Sequence, residues 1–543
     1  MSAKPAGDLR AVLLLFFLSG ATGLLYQVVW VRGFVHVFGA TVLAVSTVLA
    51  AFMGGLALGG FAGGRLVRRV RNPLRLYGVL ECALAVLAGL VPTLVKLVHP
   101  LYAGVYPSMA DSFWGLSAVR FGVSVLILLP PTFLMGATLP LLTAHAESAQ
   151  RGAEPGWIRR RVAHLYAVNT FGAVAGTAAA SFLLLPALGV RATLLAGVAV
   201  NVMVGIAAIV LSRRSGVGAD PRPDAAREPV AAAATPTPIP DAGQATIARP
   251  ALLLTAGVLG FSALALEVLW TRTLTLALGT TTYAFALVLT AFLVGIAGGS
   301  AIAARLLRRP RRAAALFAAA PAAVGLLALA VVPLFDRLPD LFVRLTASGS
   351  GSWLHGLAVM FGVAAVPMLL PTLISGAAFP LAVGIDRGAG GAGGAGGAGR
   401  SVGDVYASNT LGAILGSWAA GFLLIPLLGL REGIVLAAGL QILMTVVLLL
   451  MWKGPRAGAA RGAGIAVAAV AGLVVLLLPD WNRAALTRGG FAVAADLRRY
   501  GLTELAVDRS EIVFFEEGIT TTVTVRSWSN ELTMQMNGVT EAS

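Results

Sequence analysis

The chain has 543 residues, 58% of them hydrophobic and only 12% charged, and a mean hydropathy of +0.86. A soluble domain carries about 25% charged residues, so a soluble enzyme or soluble binding module is excluded. The net charge of +16 comes almost wholly from arginine, with lysine only at Lys4, Lys96 and Lys453, and it gathers in short stretches between apolar runs. That distribution is the positive-inside pattern of membrane loops rather than a nucleic-acid-binding surface. Cys82 is the single cysteine, and His36, His99, His145, His164 and His355 show no metal-ligand spacing, so neither an internal disulfide nor a metal site is expected.

The first apolar run follows Lys4 and Arg10 and extends from Ala11 to about Val31. It is too long for a signal-peptide core and leads into further spans, so it predicts an uncleaved first helix. Five more spans are predicted near 40–62, 76–98, 117–144, 163–187 and 190–212, each of about 20 or more apolar residues, enough to cross the hydrocarbon core. A Pro-, Ala- and charge-rich stretch over 213–250 cannot bury a core and predicts a disordered cytoplasmic linker. Six further spans follow near 251–271, 280–303, 313–335, 355–384, 403–427 and 430–452. The stretch GAGGAGGAGGAG (388–399) has no preceding soluble strand and no following Lys-Ser/Thr, so it predicts a flexible loop and not a phosphate loop. A thirteenth helix is predicted at 462–479.

Residues 24–69 align with 264–309, and every matched pair is 240 apart: Trp30 with Trp270, Arg32 with Arg272, Phe52 with Phe292, Arg65 with Arg305. The same offset relates Pro131 to Pro371, Gly136 to Gly376, Tyr166 to Tyr406, Asn169 to Asn409 and Pro186 to Pro426. The chain therefore contains two homologous halves, 1–212 and 251–452. Six spans in each half give both halves the same orientation, the parallel repeat of a major-facilitator-like bundle. The fold class expected is an all-α polytopic membrane protein with this two-fold repeat, one extra helix and a short C-terminal β-stranded segment. The basic loops GGRLVRRVRNPLR (63–75), GWIRRR (156–161) and ARLLRRPRRA (304–313) fall on one side. With the basic N-terminus they place that side in the cytoplasm.

Small residues at every fourth position mark helix contacts: Gly55, Gly59 and Gly63 in span 2, and Gly295, Gly299 and Ala303 in span 8. Tyr166, Asn169, Gly172 and Gly176 share one helical face, as do Tyr406, Asn409, Gly412 and Gly416. These faces read either as interhelical hydrogen bonding beside a glycine contact or as part of a substrate path. Ionisable groups inside spans are few: Glu81, Arg120 and Glu267, and each is a functional candidate because burying charge in lipid is costly. Glu267 has the neutral repeat mate Gln27 and lies about one turn from Arg272, which suggests either pairing with Arg272 or a place in a central cavity. Gln27, Trp30, Glu81, Tyr166, Asn169, Glu267, Trp270, Tyr406 and Asn409 are the candidate polar residues of such a cavity.

After residue 480 the pattern changes to alternation. Ile512–Phe515 reads as a strand; Ile519, Thr521, Val523 and Val525 form one face of a second; Leu532, Met534 and Met536 line a third. Asn537-Gly538 is a strong two-residue hairpin signal. Only five residues follow it, so the expectation is a sheet begun and not closed, with an exposed edge.

The stretches FLSGATGLLYQVVWVRGFVHVFGATVLAVSTVLAAFMGGLALGGFAGGRL (17–66), LPPTFLMGATLPLL (129–142), YAVNTFGA and VFFEEGITTTVTV…MNGVTEAS resemble bacterial proteins in which a major-facilitator-like membrane domain is fused to a spermidine-synthase-like domain. One departure is visible: Val67 and Arg68 stand where the family's loop after span 2 often carries an aspartate. The resemblance implies that 480–543 begins a spermidine-synthase-like domain. It also implies an aminopropyltransferase role in polyamine biosynthesis, with decarboxylated S-adenosylmethionine as co-substrate of a following Rossmann-like domain. That domain's glycine-rich donor loop and acidic amine site have no counterpart here, so no catalytic residue and no cofactor is assigned to this chain, and it reads as truncated relative to the family. Two other roles stay open: a transporter of a small metabolite, cationic or not, and a structural scaffold. The partners expected are the lipid bilayer and a small-molecule substrate such as a polyamine, without nucleic acid.

Overall fold

A computed structural model describes residues 5–38, 42–109, 112–149, 157–214, 247–307, 310–347, 352–386, 397–452, 457–494, 510–518, 521–528 and 531–542. The predicted linker core and most of the glycine-rich loop lie outside these residues, as does the side chain of His36.

The first half is built from α1 (Pro5–Phe38), α2 (Val42–Leu66), α3 (Pro73–Met109), α4 (Phe113–Ala149), α5 (Trp157–Ala178) and α6 (Leu185–Arg214). The second half repeats it with α7 (Arg249–Leu278), α8 (Thr282–Leu306), α9 (Pro310–Val331), α11 (Trp353–Ile385), α12 (Gly397–Ala419) and α13 (Ile425–Leu450). Where α3 continues as one helix for 37 residues, its counterpart α9 breaks through a 3-10 turn into the short helix α10 (Leu338–Ala347). A single extra helix, α14 (Ala457–Leu477), packs along α13.

Eleven helical stretches among the described residues are long and apolar enough to cross a membrane. Two of these, Arg160–Arg214 with 55 residues and Arg400–Leu450 with 51, each hold two crossings of the ~20 residues a bilayer core requires. The break inside each is a repeat-related glycine, Gly189 (φ 74°) and Gly429 (φ 85°), a conformation that glycine reaches without steric cost. Short π-helical segments precede both breaks, Ala179–Leu184 and Ala420–Leu424. The architecture is thus a mostly helical, multi-pass, major-facilitator-like bundle of two parallel six-helix halves, with one additional helix and a small C-terminal sheet.

Within each half the same pairs touch: α1 with α5, α2 with α4, α3 with α6, and their counterparts α7 with α12, α8 with α11, α9 with α13. The glycine stripes make this packing close. The Cα of Gly59 abuts the backbone of Phe133, and that of Gly299 the backbone of Leu373. Gly172 and Gly176 lie against Phe17 and Ala21 of α1, while Gly412 and Gly416 lie against Gly257 and Phe261 of α7. The halves meet chiefly through α2 with α12 and α5 with α8. Phe182 stacks on Tyr283 at 6.2 Å and Trp114 on Phe422 at 6.2 Å. These phenylalanines, one on each π segment, are repeat mates that reach across to the opposite half.

The C-terminal sheet is antiparallel in the order β1 (Glu511–Glu517), β2 (Thr522–Trp528), β3 (Glu531–Met536), β4 (Val539–Ala542). Asn537 (φ 51°) and Gly538 (φ 78°) form the hairpin turn, with both central residues at positive φ as such a turn requires. The fourth strand that the turn implies is present and short: Val539, Thr540 and Ala542 pair with β3, with an irregularity at Glu541. The burial of β2 also differs from its apolar pattern. Thr522, Thr524 and Arg526 are buried, whereas Val523 and Val525 are half-buried. This strand turns its polar side inward because the groups that cover it are polar, as described next.

Candidate functional site

Three polar constellations stand out. The first joins the sheet to the second half, at the end of the bundle opposite the arginine-rich loops. Arg272, near the end of α7, is only 4% exposed. Its guanidinium donates to Asn537 Oδ1 at 2.8 Å and to Thr522 Oγ1 at 3.3 Å. Asn537 Oδ1 also accepts from the Thr522 amide at 3.0 Å, so one arginine clamps the hairpin turn and the start of β2 together. Of the two readings of Glu267, the pairing with Arg272 is not formed; Arg272 is committed to the sheet. A second clamp is Glu517, whose carboxylate accepts from the Leu430 amide at 2.7 Å beside Gly429.

Between α14 and the sheet, residues 478–494 run as a strap over the same end of the second half. Trp481 Nε1 donates to Val332 O at 2.7 Å, the Asn482 amide to Asp336 at 3.0 Å, and Arg488 pairs with Asp340 at 2.7 Å. Arg431 contacts Asp480 at 3.5 Å and also pairs with Glu432. Arg526 reaches down from β2 to Ala484 O at 2.9 Å and Thr487 Oγ1 at 3.0 Å, which explains why β2 buries its polar face. Gly489 (φ 69°) packs directly on Gly538. The expected domain start at 480 is therefore a strap with the four-residue helix α15 (Arg483–Leu486), ahead of the strands.

Burial pushes the Glu517 carboxyl above the ordinary carboxylate range, against the opposing pull of the Leu430 amide and the charges of Arg272 and Arg483. A raised folded-state value means the folded form holds the proton more tightly than the unfolded chain. Docking of the sheet should then be most stable at and below the ordinary glutamate value of ~4.3, and weaken as pH rises through the raised value. Hydrogen exchange of β1 amides across this range should show that weakening, and Glu517→Gln should abolish it; an unchanged slope in the variant would rule out Glu517 as its source.

The second constellation lies inside the first half. Glu81 of α3 is fully buried. It accepts from Ser19 Oγ of α1 at 2.5 Å and from the Asn201 amide of α6, while Tyr26 donates to Asn201 Oδ1 at 2.9 Å. This chain of neutral donors ties α1, α3 and α6 together; in the second half the position equivalent to Glu81 is Pro321, and among the described residues Thr445 of α13 instead joins α9 through Ala318 O and the Ala322 amide. Of the Glu81 network's members outside the candidate set, Asn201 carries a sequence signal, a polar residue in mid-span, and Ser19 carries none. Glu81→Gln should keep the network, because an amide both donates and accepts. Glu81→Leu strands two buried donors and should lower stability by about 2 kcal/mol, measured as the thermal unfolding of purified protein; equal melting of the two variants would refute this role.

The remaining candidates do not converge on one point. Glu267 is 8% exposed and makes no hydrogen bond or ion pair with the described residues. Gln27 Oε1 and the indole nitrogens of the repeat mates Trp30 and Trp270 are buried without a partner among the described residues. Trp30 stacks on Tyr26 at 5.3 Å. Tyr166 and Tyr406 flank Phe379 of α11, at 4.5 Å and 5.9 Å, and so face the contact between halves. The side chains of Asn169 and Asn409 are half-buried and their backbones abut Gly20 and Gly260. Arg120 donates to Tyr102 at 3.0 Å. Among the described residues no three His, Cys, Asp or Glu side chains group as metal ligands.

The third constellation sits on the arginine-rich side, where α2 and α12 meet. Asp404 contacts Arg65 at 3.2 Å, Arg249 at 2.7 Å and Arg400 at 3.9 Å, and Arg249 also approaches Asp386 at 3.5 Å.

No family model matches the chain. Polyamine aminopropyltransferase 2 of Streptomyces coelicolor is 31% identical over 210 residues, which is 38% of this chain and 35% of that protein. The chain thus spans about a third of the length of that relative. Among solved structures, the human organic anion transporter MFSD10 (TETRAN) is 15% identical at a TM-score of 0.45, covering 81% of this chain and 99% of its own. The E. coli fucose:proton symporter FucP is 14% identical at 0.44, covering 81% and 97%. The proton:xylose symporter XylE is 11% identical at 0.45, covering 83% and 97%.

Proposed function

We propose that this chain is the membrane-embedded portion of a polyamine aminopropyltransferase-like protein, serving as a platform that holds a β-sheet at one membrane face. The observation that carries this reading is the docked sheet: a four-stranded sheet clamped to the bundle by Arg272, Glu517 and the 478–494 strap. The 31% identity to the Streptomyces aminopropyltransferase over 210 residues supports it. The aminopropyl transfer, with decarboxylated S-adenosylmethionine as donor and an amine such as putrescine as acceptor, belongs to the whole protein in this reading, and no residue described here is assigned to it.

By the positive-inside rule the arginine-rich loops and the N-terminus face the cytoplasm of a bacterial inner membrane. A crossing by α14 then brings the sheet to the opposite side, away from the cytosolic pool of decarboxylated S-adenosylmethionine; a cytosolic aminopropyl transfer requires instead that α14 does not cross. Alkaline phosphatase fused after residue 543 should be active and a fluorescent protein fused there dark; the reverse pattern would refute this orientation.

A second reading, transport of a small cation through the bundle, is favoured by the parallel two-fold repeat and by Glu267, a buried carboxylate without a partner among the described residues. It predicts putrescine uptake into proteoliposomes, lost in Glu267→Gln and retained in Glu81→Gln. Absence of uptake by the unaltered protein would leave the platform role alone.

A further inference from the structure

The arginine-rich face contains a feature that neither anchoring nor transport explains. Arg65, Arg68 and Arg69 at the end of α2 and Arg400 at the start of α12 line a cavity of about 490 Å³. The first three belong to one half and the last to the other. Positive-inside topology accounts for the sign of these charges, but not for their gathering from both halves around one space.

The local charge is not balanced. Asp404 alone is shared by Arg65, Arg249 and Arg400, and Asp386 is shared by Arg249 and Ser401. Five arginines therefore face two carboxylates, and Arg68 and Arg69, both exposed, reach no carboxylate among the described residues. Guanidinium groups present a planar fork suited to phosphate oxygens. The rim adds an apolar element: Arg65 lies over the Phe61 ring at 3.2 Å, and Phe61 and Leu66 are 41% and 46% exposed. A basic pocket between membrane helices with an apolar lip suits a lipid phosphate as well as a soluble one.

We infer that this cavity is a binding site for a phosphate-bearing polyanion, which contacts Arg68 and Arg69 of one half and Arg400 of the other and so holds the two halves together on this face. The halves are already close there. A Cβ on Gly403 of α12 would meet Gly60 O at 2.8 Å and Gly64 Cα at 3.0 Å, so the bridge needs no movement to form.

The test uses the purified full chain. One arm places it in phosphatidylcholine nanodiscs with a small fraction of cardiolipin; the other adds inorganic pyrophosphate to protein in neutral detergent. Binding is read by native mass spectrometry and by the thermal unfolding midpoint. Arg68→Gln/Arg69→Gln and, separately, Arg400→Gln should each weaken binding at least about tenfold, the loss expected for one charge-assisted contact. Arg213→Gln/Arg214→Gln, which removes equal charge from the end of α6 on the same face, should leave it unchanged. Binding of cardiolipin alone identifies a lipid headgroup, and binding of pyrophosphate alone a soluble phosphate; either upholds the site. The proposal is overturned if neither anion binds, if the α6 control loses as much as the pocket variants, or if Arg400→Gln binds as tightly as the unaltered protein.

Discussion

Arg272→Ala should release the C-terminal sheet from the bundle. The substitution removes a buried guanidinium that holds Asn537 at 2.8 Å and Thr522 at 3.3 Å. Hydrogen bonds from a charged donor contribute about 1.5–3 kcal/mol each, so a loss of roughly 2–4 kcal/mol in local docking stability is expected. Hydrogen exchange should speed up across β2 and β3 while the helices keep their protection. Arg272→Lys should rescue only part of the loss, because an ammonium lacks the fork that reaches both partners. Its repeat mate Arg32 contacts no sheet, so Arg32→Ala should stay within about 0.5 kcal/mol. Unchanged exchange of the strands in Arg272→Ala would refute the clamp.

Gly59→Leu and Gly299→Leu should each disrupt the bundle itself. A side chain at either position would run into the backbone of the facing helix, at Phe133 O and Leu373 O. Backbone on the far side cannot rotate away as a side chain can, so the helices must separate. The cost should be on the order of 3 kcal/mol, seen as a lower unfolding midpoint and a smaller monodisperse yield. Gly122→Leu is the control, because nothing lies within 4 Å of a Cβ there. Equal behaviour of Gly59→Leu and Gly122→Leu would show that the stripe does not set the helix spacing.

Much of this was legible in advance. Apolar runs of membrane length and the 240-residue offset give the two parallel halves, since hydrophobic length and homology are properties of the chain itself. The helix break at Gly189 and Gly429 falls where the sequence separates spans 5 and 6 of each half. The Asn537-Gly538 turn is equally local, because its positive φ values are written into those two residue types. The three polar constellations were not legible. Glu81 is 120 residues from Asn201, Arg272 is 265 from Asn537, and Arg65 is 339 from Asp404.

The sequence by itself thus determined a membrane bundle of two homologous halves, its glycine contact stripes, and the existence of a hairpin at its end. Only the tertiary structure decided that Arg272 serves the sheet rather than Glu267, that β2 buries threonine and arginine rather than valine, and that arginines from both halves surround one cavity. The physical reason is the range of each effect. Helix formation, membrane insertion and tight turns depend on neighbours within a few residues, whereas a buried charge is matched by whichever distant group the packed helices carry to it.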